Sequence, residues 1–276
     1  SKSTIFCWAM GITHVKGGVD SVRMIANVAI ARGMVGKLGA GLLPLRGHSN
    51  VQGMGTIGVV PKLTPAMEDA IEKFFGITLP TNPSNFRGGD TMACMEASFD
   101  GLIDYAMCLG GNLLSSNPNT QFAMQAMSKI KLISYMSTAL NQGHFLGRGI
   151  ETIIFPVHVR DEETQITTQE SMFSYVRRSE GGQKRHDGPR SEVDVIIQLA
   201  TSGIGSINWE QFKDHDAIRH LLAKCISGFD PDHEHTLPGR HFHSPTFKTD
   251  SKRIQAHRMD LHTPAAVNGN QLRLMT

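Results

Sequence analysis

The run that most constrains the fold lies in the middle of the chain, where "YAMCLGG", "NTQFAMQAMSKI", "KLISYMS" and "ETIIFPV" follow one another. The first, third and fourth stretches are short, apolar and rich in strand formers, and the second has helical spacing with Asn119 at its cap. Strand, helix, strand with short joins implies parallel pairing through a right-handed crossover. Strands so joined all end at one edge of the sheet, where open α/β sheets bind ligands. The spacing therefore predicts that loops 110–116, 136–142 and 156–161 lie together at that edge.

On either side the signals are plainer. Residues 4–10 read as a buried strand closed by Gly11, and Asp20 and Ser21 open a helix in "SVRMIANVAIARG", with Gly33 as its stop. Residues 34–62 are glycine-rich and irregular, 67–75 and 92–99 read as helices, and "TLPTNPSNFRGGD" is a loop between them. A polar, irregular stretch runs to Arg190; "SEVDVIIQLA", capped by Ser191, and "HDAIRHLLAKCISG" are further helices, and beyond Gly228 the chain is linker-like. The fold class is α/β, a parallel sheet flanked by helices of Rossmann-like type, with an irregular C-terminal linker.

Charge and length exclude several partners. Lys and Arg number 27 against 25 Asp and Glu, a net +2 with no basic block, so neither nucleic acid nor an anionic membrane surface is expected as a partner. No apolar run reaches the roughly 18 residues of a membrane span, and "SKSTIFCWAM" lacks the features of a secretory signal, so the expected location is the cytoplasm. Cys7, Cys94, Cys108 and Cys225 stand far apart, which favours reduced, mostly buried thiols over disulfides or a metal site. The chain opens on Ser1 and stops at "QLRLMT" inside what reads as a strand; both ends are expected to be cut from a longer polypeptide.

Four motifs compete for chemistry. "GMGTIG" matches G-x-G-x-x-G by letter, but "VVPKLTP" follows it and no helix is expected before about Met67, so it reads as a turned loop rather than a dinucleotide cradle. "LGGNLLSSNP" leaves the first of the parallel strands and is either a ligand loop or a plain strand–helix turn. His233, His235, His241 and His243, with Asp230, Asp232 and Glu234, lack zinc-type spacing and read as a solvated segment. No G-x-S-x-G elbow is present. "LRGHSNVQG", residues 45–53, concentrates a guanidinium, an imidazole and several amides and hydroxyls among glycines, a composition suited to holding a ligand.

The last of these carries a resemblance. The run from "WAMGITHVKGG" to "LRGHSNVQG" resembles the segment of formate dehydrogenase catalytic subunits, in the molybdopterin oxidoreductase family, that leads to R-G-Q-N-N-V-Q-G. Arg46, Gly47, Asn50, Val51, Gln52 and Gly53 match that pattern, and His48 and Ser49 depart from it. The resemblance continues through "CLGGNLLSSNP", "RDEETQITTQESM" and "GPRSEVDVIIQLA", covering most of residues 5–202, and "STALNQGH" is similar to the formate-dehydrogenase-like branch.

The resemblance implies an oxidoreductase carrying bis(molybdopterin guanine dinucleotide) with molybdenum, and a 4Fe-4S cluster only in sequence upstream of this chain. It assigns Arg46 to the substrate anion, His48 to the pterin, and Met10, Gly11 and His14 to the first loop bordering the dinucleotide. Gly111, Asn112 and Ser116 take its ribose and phosphate side, Ser137 a strand-end position beside Met136, and Glu192 the guanine. No residue here is assigned to a metal. The implied organisation is a strand–helix segment, 1–47, of a neighbouring cofactor domain, a dinucleotide-binding domain, 48–215, and a helix and linker, 216–276, toward a further domain. Expected partners are a small-molecule substrate and the flanking domains, with no electron acceptor identified. A non-catalytic nucleotide- or partner-binding module is the alternative.

Overall fold

The structure, a computed structural model, describes residues 2–79, 89–238, 246–247, 249–259 and 269. The "TLPTNPSNFRGGD" loop falls largely outside them, as do His241, His243 and "QLRLMT". The chain forms an α/β fold of parallel sheets flanked by helices, divided into two compact units. The first contains Ser1–Gly53, Gln169–Val176 and Thr236–Thr276; the second contains Met54–Thr168 and Arg177–His235.

In the second unit, β3 (Tyr105–Leu109), β4 (Leu132–Ser137) and β5 (Glu151–Pro156) form a sheet in that order. Both pairs are parallel, as the strand–helix–strand spacing requires. Strand β4 lies in the middle and is buried on both faces, which explains its unbroken "LISYM"; β3 and β5 are the outer strands and alternate in exposure. Helices α5 (Thr91–Phe99) and α6 (Thr120–Met127) cover the face that carries Ile133 and Tyr135. Their caps are the expected type: Asp90 accepts from the Ala93 N–H and Asn119 from the Phe122 N–H, both at 3.0 Å. Met127, Ile130 and Ile133 are almost fully buried there, and Phe99 stacks on Phe122. Met136 faces the other side, packed with Val157 and with Val195 of α8 (Glu192–Gly203). Helices α4 (Pro65–Phe75) and α9 (His215–Cys225) meet beside an aromatic cluster of Phe74, Phe75, Trp209 and Phe212.

In the first unit, β1 (Ile5–Trp8) pairs in parallel with β2 (Gly41–Pro44), and α2 (Gly18–Ala31) lies against β2. Ala29 and Met34 are fully buried. The strand expected over 4–10 ends sooner, because Met10 and Gly11 begin the short helix α1 (Met10–Thr13). Helix α2 opens two residues before Asp20: Gly18 stands so close to the Thr13 carbonyl that an added Cβ would lie 2.3 Å from it. Gly33, at φ +64°, supplies the left-handed stop.

Other expectations need correction. Residues 34–62 are not irregular throughout: they contain β2 and α3 (Val51–Thr56). "GMGTIG" is therefore no loop at its start, since Gly53 and Gly55 lie inside α3. The helix ends before Gly58, which turns at φ +96°, so no helix opens on the last glycine as a pyrophosphate cradle requires. The polar stretch before Arg190 holds β6 (Thr167–Glu170) and β7 (Tyr175–Ser179), and beyond Gly228 comes the short β8 (His235–Thr236); the three form one sheet, β6-β7-β8. Cys7 is exposed and the other thiols are half-buried rather than core; burial pushes the Cys108 thiol up to about 11.

Candidate functional site

In the second unit, loops 110–116, 136–142 and 156–161 leave β3, β4 and β5, so the parallel order brings them to one edge. The Gly110 N–H continues the ladder to the Met136 carbonyl at 2.8 Å, and Gly110 and Gly111 then turn at φ +65° and +70°. That pair of left-handed residues needs glycine for conformation; no neighbour lies within 4 Å of where either Cβ would stand, so the backbone is open to a ligand. The Asn112 side chain accepts from the Ser115 N–H at 3.2 Å, and the Asn112 carbonyl from the Ser116 N–H at 3.0 Å. Its Oδ1 also lies against Gly143 of α7 (Gln142–Leu146), where a Cβ would meet it at 2.1 Å. The first two loops are thereby keyed together. Helix α7 opens on a capping box: Asn141 accepts from the Gly143 N–H, and its own N–H donates to His144 Nδ1 at 3.1 Å.

Met136 at the end of β4 is fully buried, so it serves the core and cannot meet a ligand; Ser137 is half-buried, with its hydroxyl donating to the Ala139 carbonyl at 2.8 Å. The third loop is tied to the start of α8, since the His158 N–H donates to the Arg190 carbonyl at 2.9 Å and the Arg190 N–H to the Pro156 carbonyl at 3.2 Å. Glu192 opens α8 at this edge. Ser191 precedes it but does not cap with its side chain, because its hydroxyl donates to Glu163 Oε2 at 2.7 Å. Burial, and next the charge of Glu163, hold the Glu192 carboxyl above the usual carboxylate range. Both ring nitrogens of His158 are shielded from solvent with no partner among the described residues.

The first unit gathers the other candidates. β1 and β2 run parallel, Trp8 stands beside Pro44, and the Leu45 N–H donates to the Trp8 carbonyl at 2.7 Å. The segment after each strand therefore leaves at one edge, which places Met10 and Gly11 next to Arg46, Gly47 and His48. Met10 lies over Gly47, its Cε 3.9 Å from where a Cβ would be. Arg46 donates to the Gln52 side-chain oxygen at 2.9 Å. Asn50 adopts φ +59°, and its side-chain oxygen accepts from the Glu170 N–H at 3.0 Å. Arg46, His48, Asn50, Gln52, Glu170 and Ser171 line a cleft of about 200 Å³. Arg46, His48 and Met10 are exposed; His14 is exposed at the end of α1 and is not among the residues lining the cleft.

Glu170 was invisible in the sequence. "TQITTQE" is polar but for Ile166, so its β-branched Ile166, Thr167 and Thr168 are the one strand signal available, and no pattern tells that Glu170 is buried. A larger cleft, of about 430 Å³, lies between Pro156, Arg190, Gln198 and Leu199. Of the candidates it touches only Pro156, at the start of the third loop, and its one charged group already pairs, Arg190 with Gln198 at 2.7 Å, so the smaller cleft is the better site. Among the described residues no three His, Cys, Asp or Glu side chains gather to hold a metal, and no helix is long and apolar enough to cross a membrane.

No family model matches the chain. It is 37% identical over 248 residues to "Uncharacterized oxidoreductase Rv2900c" of Mycobacterium tuberculosis, covering 86% of this chain and 31% of that protein. It is 31% identical over 239 residues to "Protein YdeP" of Escherichia coli K12, covering 83% of this chain and 31% of that one. A shorter match, 34% identical over 138 residues, joins 47% of the chain to 14% of "Putative formate dehydrogenase SAR2393" of Staphylococcus aureus. The chain thus spans about a third of the length of the first two relatives.

Proposed function

We propose that this chain is the central part of a molybdopterin-dependent oxidoreductase resembling formate dehydrogenase, which removes two electrons from formate or a similarly small substrate. The observation that carries the reading is the cleft at the end of β1 and β2, where Arg46 is held by Gln52 beside the loop matching R-G-x-x-N-V-Q-G. The names of the similar proteins, an oxidoreductase and, over a shorter stretch, a formate dehydrogenase, support it.

The residues present fit one guanine dinucleotide arm of a bis(molybdopterin guanine dinucleotide). The open Gly110–Gly111 backbone, the ring of His158, without a partner among the described residues, and the partly buried Glu192 form a donor and acceptor set suited to a nucleotide at a parallel-sheet edge. In this reading Glu192 accepts the N–H pair of guanine, and Gly111, Asn112 and Ser116 meet ribose and phosphate, with Ser137 beside them. Met10, Gly11 and His14 border the dinucleotide and His48 faces the pterin. When bound, the molybdenum centre supplies the acceptor for both electrons. Arg46 grips the substrate carboxylate through two parallel hydrogen bonds, which a lysine ammonium cannot copy, and Gln52 fixes its plane. A 4Fe-4S cluster and the metal ligand would come from sequence outside this chain, and the cytoplasm is the proposed location.

The test uses the full-length polypeptide. It should purify with molybdenum and pterin, and Arg46→Lys should keep both while kcat/KM for formate falls about 30- to 160-fold, or about 2–3 kcal/mol. An unchanged kcat/KM would make Arg46 structural, and a full-length protein without pterin would sink the reading.

A further inference from the structure

Glu170 ends β6 in the wall of the Arg46 cleft. It is only 6% exposed, yet its Oε2, wholly shielded from solvent, has no hydrogen-bond partner among the described residues. Its backbone is fixed, since the N–H donates to Asn50 Oδ1 and Asn50 is itself locked by its left-handed φ and by contact with Gly53. A carboxylate oxygen removed from water costs free energy unless a donor meets it, and buried polar groups left unsatisfied in folded proteins are few. One small cleft thus pairs an exposed guanidinium, offering donors to an anion, with a buried carboxylate that accepts.

We propose that Glu170 is a specificity residue of this cleft, accepting the paired N–H groups of a 2-amino-4-oxopyrimidine ring, the edge that a pterin presents. The inference rests on the cofactor reading above. A carboxylate matches two parallel N–H donors as it matches a guanidinium, whereas a 2,4-dioxo ring turns a carbonyl toward it. Glu170 therefore selects the amino ring over the dioxo ring and leaves Arg46 free for an anion.

Two probes separate these cases: pterin-6-carboxylate, and its 2-oxo analogue lumazine-6-carboxylate. They are titrated into the full-length polypeptide produced in a host unable to make the molybdenum cofactor, with binding read by quenching of probe fluorescence. The expected result is a preference of about tenfold or more for the pterin, abolished in Glu170→Gln and retained in part in Glu170→Asp. A preference unchanged in a folded Glu170→Gln protein overturns the assignment. If that variant does not fold, the wild-type titration decides, and equal binding of both probes or binding of neither overturns it. Failure of the function reading looks different. Protein that selects pterin when made in that host, but purifies without molybdenum from a host that makes the cofactor, loses the oxidoreductase reading and keeps Glu170; protein that takes up molybdenum in the second host and does not select in the first loses Glu170 alone.

Discussion

The two units hold their candidate residues by different means. In the second, Gly111, Asn112, Ser137 and Glu192 stand on the ends of elements whose bodies are buried, with Ile133, Met127 and Met136 showing essentially no exposure beneath them. In the first, Arg46 and His48 follow a strand that is half-buried throughout, and their loop is shaped by polar contacts: Arg46 with Gln52, and Asn50 with Glu170. The second site's loops are hydrogen-bonded too, but they stand on a packed sheet, whereas the first site has only half-buried strand beneath it. Elements with a buried body keep their place when one polar contact is lost; a loop without that support depends on each contact.

The largest expected effect tests the packed side. Ile133→Ala should cost about 2–5 kcal/mol of stability, against about 1 kcal/mol for Leu43→Ala in β2, measured by denaturant titration with hydrogen exchange assigned to each unit. Equal costs would break the contrast. Next comes Gly143→Ala, which would drive a methyl into Asn112 Oδ1 and should cost about 1–3 kcal/mol. Adding Asn112→Ala should restore much of it, and a purely additive double mutant would show that the loops are not keyed.

On the hydrogen-bonded side, Asn50→Ala should cost about 1–2 kcal/mol, because it forces alanine into a left-handed conformation and removes the acceptor for the Glu170 N–H. Asn50→Gly should recover the conformational part and not the rest. If glycine matches wild type, the hydrogen bond contributes nothing and the first site does not depend on it.

The smallest effect is a pH dependence. Because burial and then Glu163 raise the Glu192 carboxyl in the folded state, that state binds the proton more firmly than the unfolded chain. The associated stability is present below the ordinary glutamate value and is lost as pH rises from there through the raised one. Glu192→Gln should flatten that decline in a melting series; an identical decline in the variant would leave the shift without consequence.

The second unit was readable and the first was less so, for a physical reason. A central strand buried on both faces and its half-buried apolar neighbours write their pattern as apolar runs, and a crossover helix writes its period and cap, so β3, α6, β4 and β5 appear in the letters with Asn119 in place. Strand β2 is four residues, "GLLP", set among glycines and ending in proline, with too little length for any period to show. Without it, nothing in the sequence puts Met10 over Gly47. Strands β6 and β7 were likewise lost to their polar composition, and the burial of Glu170 with them. The R-G-H-S-N-V-Q-G loop was recognised through resemblance, while the reason for its Asn and last Gly is steric and visible only in three dimensions.

That steric fit reaches beyond this molecule to its descent. Any side chain at Gly53 would put its first carbon 2.1 Å from Asn50 Oδ1, well inside contact distance, so the residue at one position dictates what the other can become. A gene that mutates position 53 while keeping Asn50 meets a clash, and one that mutates Asn50 first forfeits the contact to Glu170. The two codons should therefore be inherited as a pair, changing together or not at all, and a lineage that has lost the asparagine should be where a larger residue is found at the glycine.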